Sequence, residues 1–336
     1  MTNKIYSAAV IGCGSIGGLK PDKYDSPGGK NILTHCHALQ QHDRTALVAV
    51  CDSDEEKANQ AREKWGCSAF LSTDDLFTCY KPDIVVVATP TETHAGVLMD
   101  VLGHGPGIVI AEKPFCSNYK EAKVVVDTYE RAEVPIAVNY VRRYVAEIQI
   151  LQMAIANGVW GEIYHCQVNY DRGLMRDGSH AIDLCRWFFG EFEYGSVIPE
   201  FTEGWAMHKS PPITDFSTED PTYAAHMAFD KCPHVFFCPS DGRKFGLFEI
   251  HIMTEKGRVS LVDNSGTMAI AHPVLEPTYG DYYSLPSSNR FFKTHLHTAM
   301  MELVDNVVDN LDNERLLLCS GLDALIVHQI YEEVVK

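Results

Sequence analysis

The segment Gly107–Phe115, with the sequence GIVIAEKPF, ends an apolar run with a carboxylate and an ammonium group. Pro114 follows Glu112 and Lys113 and stops further strand pairing, because proline has no N–H to donate. Charged groups at the end of a buried strand are costly unless they are paired or used in chemistry. A lysine there could hydrogen-bond a substrate hydroxyl or carbonyl and transfer a proton. The alternative is an ordinary ion pair in a loop.

A second candidate for proton transfer is a histidine in the sequence GSHAIDLCRW. On a helix that begins near Ser179, His180 and Asp183 are three residues apart and share a face. Oxidation of an alcohol releases a proton, and an oriented imidazole can accept it at neutral pH. The alternative is a histidine that packs in the core or caps the helix.

Every cation between Asn139 and Gly190 is an arginine. Arginine binds carboxylate or phosphate through two hydrogen bonds, which would suit an anionic or nucleotide-linked substrate. Acidic residues in the same window favour salt-bridged structural roles for most of these arginines. The substrate candidates are Arg143 and Arg176, together with the adjacent Asp177.

The glycine pattern Gly12–Gly17, GCGSIG, directly follows an apolar strand-like segment. Such glycines permit a tight turn and let backbone N–H groups approach a pyrophosphate. Asp52 ends the second strand as a ribose-binding carboxylate should, but it lies 35 residues beyond Gly17 instead of about 20. The loop-like stretch Gly18–Gly29 explains the excess as an insertion that delays the helix. The alternative is that Asp52 only caps the next helix.

The acidic residues around Asp52 indicate which dinucleotide is preferred. A 2′-phosphate would face Asp52, Asp54, Glu55 and Glu56, and the first cation after them is Lys57. Like charges repel, so NAD is predicted over NADP.

Alternating strand and helix patterns in the first 140 residues predict an N-terminal Rossmann fold, a doubly wound parallel sheet. Nearly continuous apolarity in the strands indicates that helices cover both faces of the sheet. One helix is predicted to open with a capping box at Ser53–Glu56 and another near Thr73. The predicted strands are Ile5–Ile11, Ala46–Cys51, Asp83–Ala88, Ile108–Ala111 and Ile136–Asn139.

Residues 141–336 are predicted to form a second, α+β domain with a large, mainly antiparallel open sheet. We therefore divide the chain into a dinucleotide-binding domain, residues 1–140, and a second domain, residues 141–336. The predicted elements of the second domain are helices Tyr144–Ala156, His180–Phe189, Thr294–Asn310 and Ser320–Val335, and strands Glu162–Tyr170, Phe245–Met253 and Arg258–Val262.

The bulk composition excludes several classes of partner. A formal net charge of -17 disfavours nucleic acid and anionic membrane surfaces. No apolar run approaches the roughly 20 residues of a membrane helix, and the N-terminus does not read as a signal peptide. The 11 cysteines form no C-x-x-C pair, which predicts a reduced, cytoplasmic setting. The histidine pairs His35/His37 and His295/His297 lack the ligand sets of a metal site.

Together these motifs resemble the Gfo/Idh/MocA family of sugar and cyclitol oxidoreductases. The similarity covers most of the first 191 residues and extends loosely to SGLDAL at Ser320–Leu325. The resemblance rests on GCGSIG, Cys51-Asp52, ATPTETH at Ala88–His94, AEKP at Ala111–Pro114, VNYVRR at Val138–Arg143, GVWGEI at Gly158–Ile163 and GSHAIDLCRWFFGE at Gly178–Glu191.

The resemblance implies that Lys113 positions the substrate and assists proton transfer, that His180 acts as or beside the general base, and that Asp183 belongs to the same signature. It also implies that residues 141–336 form a substrate-binding and oligomerisation domain, and that the protein is a homo-oligomer, a dimer or tetramer. Many family members have an acid four residues before the histidine, where this chain has Arg176 followed by Asp177. The implied cofactor residues are Gly12, Gly14, Ser15, Ile16, Gly17, Asp52, Thr89, Pro90, His94, Glu112 and Asn139, and the implied substrate residues are Lys113, Arg143, Arg176, Asp177 and His180.

The leading functional hypothesis is an NAD-dependent oxidoreductase that moves hydride between nicotinamide and a carbinol carbon of a sugar, nucleotide sugar or cyclitol. A glycoside hydrolase that oxidises its substrate transiently with retained NAD is a second hypothesis. A third is a non-catalytic dinucleotide-sensing protein, which would need the glycine turn but neither Lys113 nor His180.

Overall fold

The computed structural model describes residues 4–198, 220–242, 245–276, 278, 280–288 and 290–336. They form two compact units: the residues up to Val145 with His297–Ile326, and Ala146–Leu296 with Val327–Lys336. Each unit has its own large sheet, and the second unit also contains a two-stranded sheet, Val274–Leu275 with Tyr283–Ser284.

The first unit contains a six-stranded parallel sheet in the strand order 3-2-1-4-5-6. Strands 4 and 5 are buried along their whole length, as their continuous apolarity predicts. This is the doubly wound Rossmann arrangement, so the predicted fold of the N-terminal domain is confirmed. Its elements are β1 (Tyr6–Ile11), α1 (His35–Gln41), β2 (Thr45–Cys51), α2 (Glu55–Trp65), β3 (Ser68–Phe70), α3 (Thr73–Cys79), β4 (Ile84–Val87), α4 (Thr91–Gly103), β5 (Ile108–Ala111), α5 (Tyr119–Arg131) and β6 (Ile136–Val138).

Two local features of this unit differ from the sequence prediction. The capping box predicted at Ser53 is wrong by one residue, because the carboxylate of Asp54 accepts from the N–H groups of Glu56 and Lys57 and caps α2. Aspartate here accepts from two of the four N–H groups that a helix start leaves free. The short edge strand β3 was not among the predicted strands, because three half-buried residues carry too little pattern.

The insertion after the glycine turn interrupts a helix without shifting its hydrogen-bond pattern. Gly18 N–H and Leu19 N–H donate to Gly14 O, which closes one helical turn, and the chain then leaves the helix until α1. His35 N–H donates to Ile16 O, and Cys36 N–H donates to Gly17 O. Each donor lies 19 positions after its acceptor, where a continuous α-helix would have four. Fifteen residues are therefore inserted into what is otherwise a single helix.

The second unit is built on an eight-stranded sheet that is antiparallel except where β7 pairs with β10. The predicted mainly antiparallel sheet is thus confirmed. A π-helical turn, Gly173–Asp177, leads directly into α7. The elements are α6 (Ala146–Ala156), β7 (Ile163–Tyr170), α7 (Gly178–Phe189), β8 (Phe192–Val197), β9 (Ala225–Phe229), β10 (Cys232–Pro239), β11 (Phe248–Thr254), β12 (Gly257–Val262), β13 (Thr267–Ala271), β14 (Val274–Leu275), β15 (Tyr283–Ser284) and β16 (Arg290–Lys293).

The chain returns to the first unit near its C-terminal end. Helix α8 (Ala299–Leu311) belongs to that unit, whereas α9 (Gly321–Val334) begins in the first unit and ends in the second. Val138 N–H donates to Cys319 O, so the returning segment extends the hydrogen bonding of the edge strand β6. A single boundary at residue 140 does not describe this return of residues 297–326.

None of the helices in the described part of the chain is both long enough and apolar enough to span a bilayer.

Candidate functional site

The candidate cofactor residues of the first unit follow the ends of its parallel strands. Gly12 follows β1, Asp52 follows β2, Thr89 comes two residues after β4, Glu112 follows β5 and Asn139 follows β6. The carboxyl ends of parallel strands lie at one edge of a sheet, and ligands of doubly wound sheets bind there. The structure therefore brings the predicted cofactor residues of this unit to one edge.

The three glycines of the turn have different steric surroundings. Gly12 has φ +97°, and a Cβ there would lie 2.5 Å from the carbonyl carbon of Ala88. A Cβ at Gly17 would lie 1.9 Å from Gly12 O, so only glycine allows this close packing. A Cβ at Gly14 would meet nothing within 4 Å. The open side of Gly14, next to the exposed Ser15 and half-buried Ile16, is where a pyrophosphate could approach the backbone.

Asp52 is fixed beside the glycine turn by two backbone donors. Its Oδ2 accepts from Cys13 N–H at 2.8 Å, and its Oδ1 accepts from Asp54 N–H at 2.9 Å. With the 15 inserted residues left out, Asp52 lies 20 positions after Gly17, the usual distance to the ribose-binding acid. Because Asp54 is the N-cap of α2, helix capping does not account for Asp52.

Glu112 is a buried carboxylate that three donors satisfy. Its Oε1 lies 2.8 Å from His35 Nε2 and accepts from Asn139 Nδ2 at 2.6 Å, while its Oε2 accepts from Lys113 N–H at 3.2 Å. Burial by itself would raise the pKa of Glu112, but the contacts with His35, Asn139 and Lys113 outweigh it and lower that pKa. The carboxylate at the end of β5 therefore ties α1 and β6 to the strand end that carries Lys113.

Replacing Glu112 with Ala is expected to lower the free energy of unfolding at pH 7 by about 1–3 kcal/mol, because it leaves the buried hydrogen-bonding groups of His35 and Asn139 without their acceptor. Because the pKa of Glu112 is lowered in the folded state, its carboxylate stabilises the protein at pH values above 4.5, the ordinary pKa of glutamate. This stabilisation is lost as the pH falls through the folded-state pKa. Urea unfolding of wild type, Glu112→Ala and Glu112→Gln at pH 7 and pH 4 measures the effect. An equal difference between wild type and Glu112→Ala at the two pH values would contradict the ionic role.

His94 joins two of the strand-end loops. Its Nε2 lies 2.8 Å from Thr89 O, and its Nδ1 lies 3.0 Å from Pro114 O and 3.2 Å from Phe115 O. The ring is 1% exposed, and both nitrogens face backbone carbonyls. His94 thus holds the backbone around Thr89, while Pro90 is exposed as the residue before α4.

Lys113 is half-buried at the end of β5, next to a cis peptide bond with Pro114. Its charge contributes to the lowered pKa of Glu112. The alternative of an ordinary ion pair in a loop describes Glu112 in part, since its carboxylate lies 2.8 Å from His35 Nε2.

Arg143 has a structural environment. It is 3% exposed, its Nη1 donates to Leu318 O at 2.8 Å, and the same nitrogen lies 3.4 Å from Asp323 Oδ1. The guanidinium therefore ties the short 3-10 helix after β6 to the returning C-terminal segment. This environment does not favour the substrate contact predicted for Arg143.

In the second unit, His180 and Asp183 lie in the first two turns of α7 and are 7% and 1% exposed. The imidazole packs edge-on against the ring of Phe248, with centroids 6.2 Å apart. Burial and this ring contact limit the orientations of the imidazole, which suits directed proton transfer.

The turn before α7 is organised by an acid that the sequence did not reveal. Asp220 accepts from Met175 N–H at 2.9 Å and from Arg176 N–H at 2.7 Å. Burial raises the pKa of Asp220, and the neighbouring Asp177 raises it further, against the lowering effect of these hydrogen bonds. Asp177 forms an ion pair with Arg172 at 2.9 Å. The Asp220 contacts cross 44 or 45 residues of sequence, so no local motif could predict them.

Neither histidine of the His35/His37 pair faces an open metal site. His35 bonds Glu112, and His37 Nδ1 lies 2.6 Å from the buried Asp25. Within the described residues, one group of three ligand-type side chains is close enough to share an ion, Asp74, Asp100 and His104. All three are exposed, and exposed acidic groups of this kind are common without a metal.

A family model described as an oxidoreductase family with an NAD-binding Rossmann fold, GFO_IDH_MocA, matches residues 28–140. Among curated proteins, the chain is 26% identical over 214 residues to D-apiose dehydrogenase of Paraburkholderia graminis, covering 56% of this chain and 51% of that one. It is 30% identical over 179 residues to D-glucoside 3-dehydrogenase of Escherichia coli, covering 53% of this chain and 46% of that one. The chain spans about half the length of these relatives.

A solved structure extends the similarity of fold to nearly the whole chain. The WlbA dehydrogenase of Bordetella pertussis, in complex with NADH and UDP-GlcNAcA, superposes with a TM-score of 0.72 at 20% identity, over 98% of this chain and 95% of that one. At this identity the likeness establishes the fold alone, for both units of the chain.

Proposed function

We propose that this chain, whose residues 28–140 match the Gfo/Idh/MocA oxidoreductase family, is a member of that family and an NAD-dependent dehydrogenase acting on a carbinol of a carbohydrate-type substrate. The observation that carries the proposal is the carboxyl edge of the parallel sheet. There a glycine turn with one open glycine, a ribose-type acid at the usual effective distance and a half-buried lysine occur together. The relatives' names, which include apiose, glucoside and inositol dehydrogenases, suggest the substrate class.

The reaction removes a hydride from carbon and a proton from the hydroxyl, so the alcohol becomes a carbonyl. NAD, when bound, supplies the hydride acceptor. In the first unit, the amides of the glycine turn would bind the pyrophosphate and Asp52 would accept from the ribose hydroxyls. Lys113 would hydrogen-bond the reacting oxygen, and Glu112 would hold the strand end that carries it.

The proposed acceptor of the hydroxyl proton is a residue of the second unit. His180 would accept it, because its ring is oriented by packing against Phe248 and an imidazole titrates near neutral pH. Asp183, three residues later on α7, would orient the imidazole or the substrate. Arg176 and Asp177, in the turn that Asp220 holds, are the candidate substrate contacts.

Cofactor choice follows from the acids after β2. Asp52 points a carboxylate oxygen at Cys13 N–H, and the exposed Glu55 and Glu56 follow Asp54 at the start of α2. A 2′-phosphate would add two negative charges to this neighbourhood, which is unfavourable. NAD is therefore the proposed cofactor over NADP.

A substrate screen tests the proposal. The protein is incubated with NAD+ or NADP+ and a panel of sugars, cyclitols and nucleotide sugars, and NADH formation is followed at about 340 nm, the absorption band of the reduced nicotinamide. We expect turnover with NAD+ on at least one member of the panel and weaker turnover with NADP+.

Two other outcomes would overturn the proposal. Product formation from a glycoside without net NADH would indicate hydrolysis through transient oxidation. Saturable NAD+ binding without turnover on any panel member would indicate a dinucleotide-sensing protein.

We also assign the protein to the cytoplasm as a homo-oligomer. All 11 cysteines are free thiols, which suits a reducing compartment. On the second unit's sheet, Tyr164 and Phe236 are 47% and 40% exposed, and exposed aromatics of this kind suit contact with another copy. Sedimentation equilibrium that gives only a 37.5 kDa species would contradict the assembly.

A further inference from the structure

Buried hydrogen bonds hold the 15-residue insertion after the glycine turn in place within the first unit. Its Asp25 is 1% exposed. The carboxylate accepts from Thr34 Oγ1 at 2.6 Å and from Leu33 N–H at 3.2 Å, and it contacts His37 at 2.6 Å. A carboxylate buried with three partners fixes the far end of the insertion to the start of α1.

The near end of the insertion is fixed as well. Lys64 Nζ donates to Lys20 O and Asp25 O, each at 2.7 Å, and Trp65 Nε1 donates to Gly18 O at 2.9 Å. Because Lys64 holds the backbone of Lys20 directly, the position of the Lys20 side chain relative to the glycine turn is restricted.

The side chain of Lys20 reaches the glycine turn. Its Nζ lies 3.5 Å from the hydroxyl of Ser15, next to the open side of Gly14. Two other lysines near the turn are paired, Lys57 with Asp54 and Lys64 with Asp22. Among the described residues, Lys20 has no carboxylate within ion-pair distance.

We propose that Lys20, presented by the insertion, is a cofactor-binding residue that pairs with the pyrophosphate of the dinucleotide. This inference rests on the dinucleotide site of the proposed function. The acids after β2 and the net charge of -17 oppose binding of an anion at this edge. An ammonium beside the turn offsets that repulsion, because it adds to its hydrogen bond with the phosphate a full positive charge that the backbone amides lack.

The proposal predicts a loss of affinity that depends on phosphate. Lys20→Ala is expected to weaken binding of NAD+ and ADP-ribose about tenfold, which corresponds to about 1.4 kcal/mol. Adenosine lacks the pyrophosphate, so its affinity should not change. The wild-type affinity for NAD+ should also fall more steeply with salt than that of the variant. Isothermal titration calorimetry of the intact protein measures the affinities for NAD+, ADP-ribose and adenosine and the salt dependence of NAD+ binding.

The matched control is Lys30→Ala, an exposed lysine in the same segment between the glycine turn and α1, which should change NAD+ affinity less than twofold. Lys20→Arg should retain most of the affinity. Equal NAD+ binding by wild type and Lys20→Ala overturns the Lys20 inference alone, as does an equal loss in Lys30→Ala or for adenosine. If the wild-type protein binds neither NAD+ nor ADP-ribose, the dinucleotide site and with it the proposed function also fail.

Discussion

Replacing Lys113 with Ala is expected to lower kcat by about 10²–10⁴-fold, the usual contribution of a positioned acid or base. Affinity for NAD+ should change little, because the glycine turn and Asp52, not Lys113, make the proposed pyrophosphate and ribose contacts. An interaction that strengthens in the transition state affects kcat more than binding. Steady-state kinetics on the best substrate, with calorimetric NAD+ binding, separates the two effects.

Lys120→Ala is the matched control, because Lys120 is an exposed lysine in the first turn of α5 and its loss changes the net charge equally. Lys113 also contributes to the lowered pKa of Glu112, so urea unfolding of Lys113→Ala must accompany the kinetics. A variant that unfolds like wild type and keeps kcat within threefold would remove Lys113 from the mechanism.

The first unit was largely predictable because its information is local in the sequence. Continuous apolar runs such as those of β4 and β5 give buried parallel strands, and the glycine pattern identifies the first turn. Even the unusual distance to Asp52 could be attributed to an insertion, since its residues have loop composition. The hydrogen bonds from His35 and Cys36 to the turn explain why the insertion leaves the fold unchanged. After it, the helix continues with its original hydrogen-bond pattern.

The partners of buried charges could not be predicted in the same way. The contact between Glu112 and His35 spans 77 residues, and that between Arg143 and Asp323 joins the chain's first half to its last helix. Each residue can pair with many others, and only the tertiary fold selects one. The alternatives for Glu112 and Arg143 therefore stayed open until the fold was known.

Weak patterns explain the remaining differences. Ser53 and Asp54 are both good N-cap residues, and one residue separates the predicted cap from the observed one. The helical periodicity of residues 297–326 predicts helices but does not indicate that these residues pack in the first unit. Hydrophobic pattern specifies that a face is buried but not which surface buries it.

Replacing His180 with Asn is expected to lower kcat/KM by about 10²–10⁴-fold and to remove the acidic limb of its pH profile. An imidazole must be neutral to accept the hydroxyl proton, so activity of the wild type should fall as the pH is lowered through the histidine's titration. Asn fills similar space against Phe248 but cannot accept the proton. Kinetics from pH 5 to 9 measures the effect, and His234→Asn, an exposed histidine of the same unit, is the control.

The pH profile distinguishes proton transfer from packing. A structural histidine would lower activity by a similar factor at every pH, because the lost contact does not titrate, whereas a base loses its advantage as the medium becomes more basic. Activity of His180→Asn that rises with hydroxide while wild type reaches a plateau would therefore support the base. Parallel profiles that differ only in height would assign His180 to the core of α7.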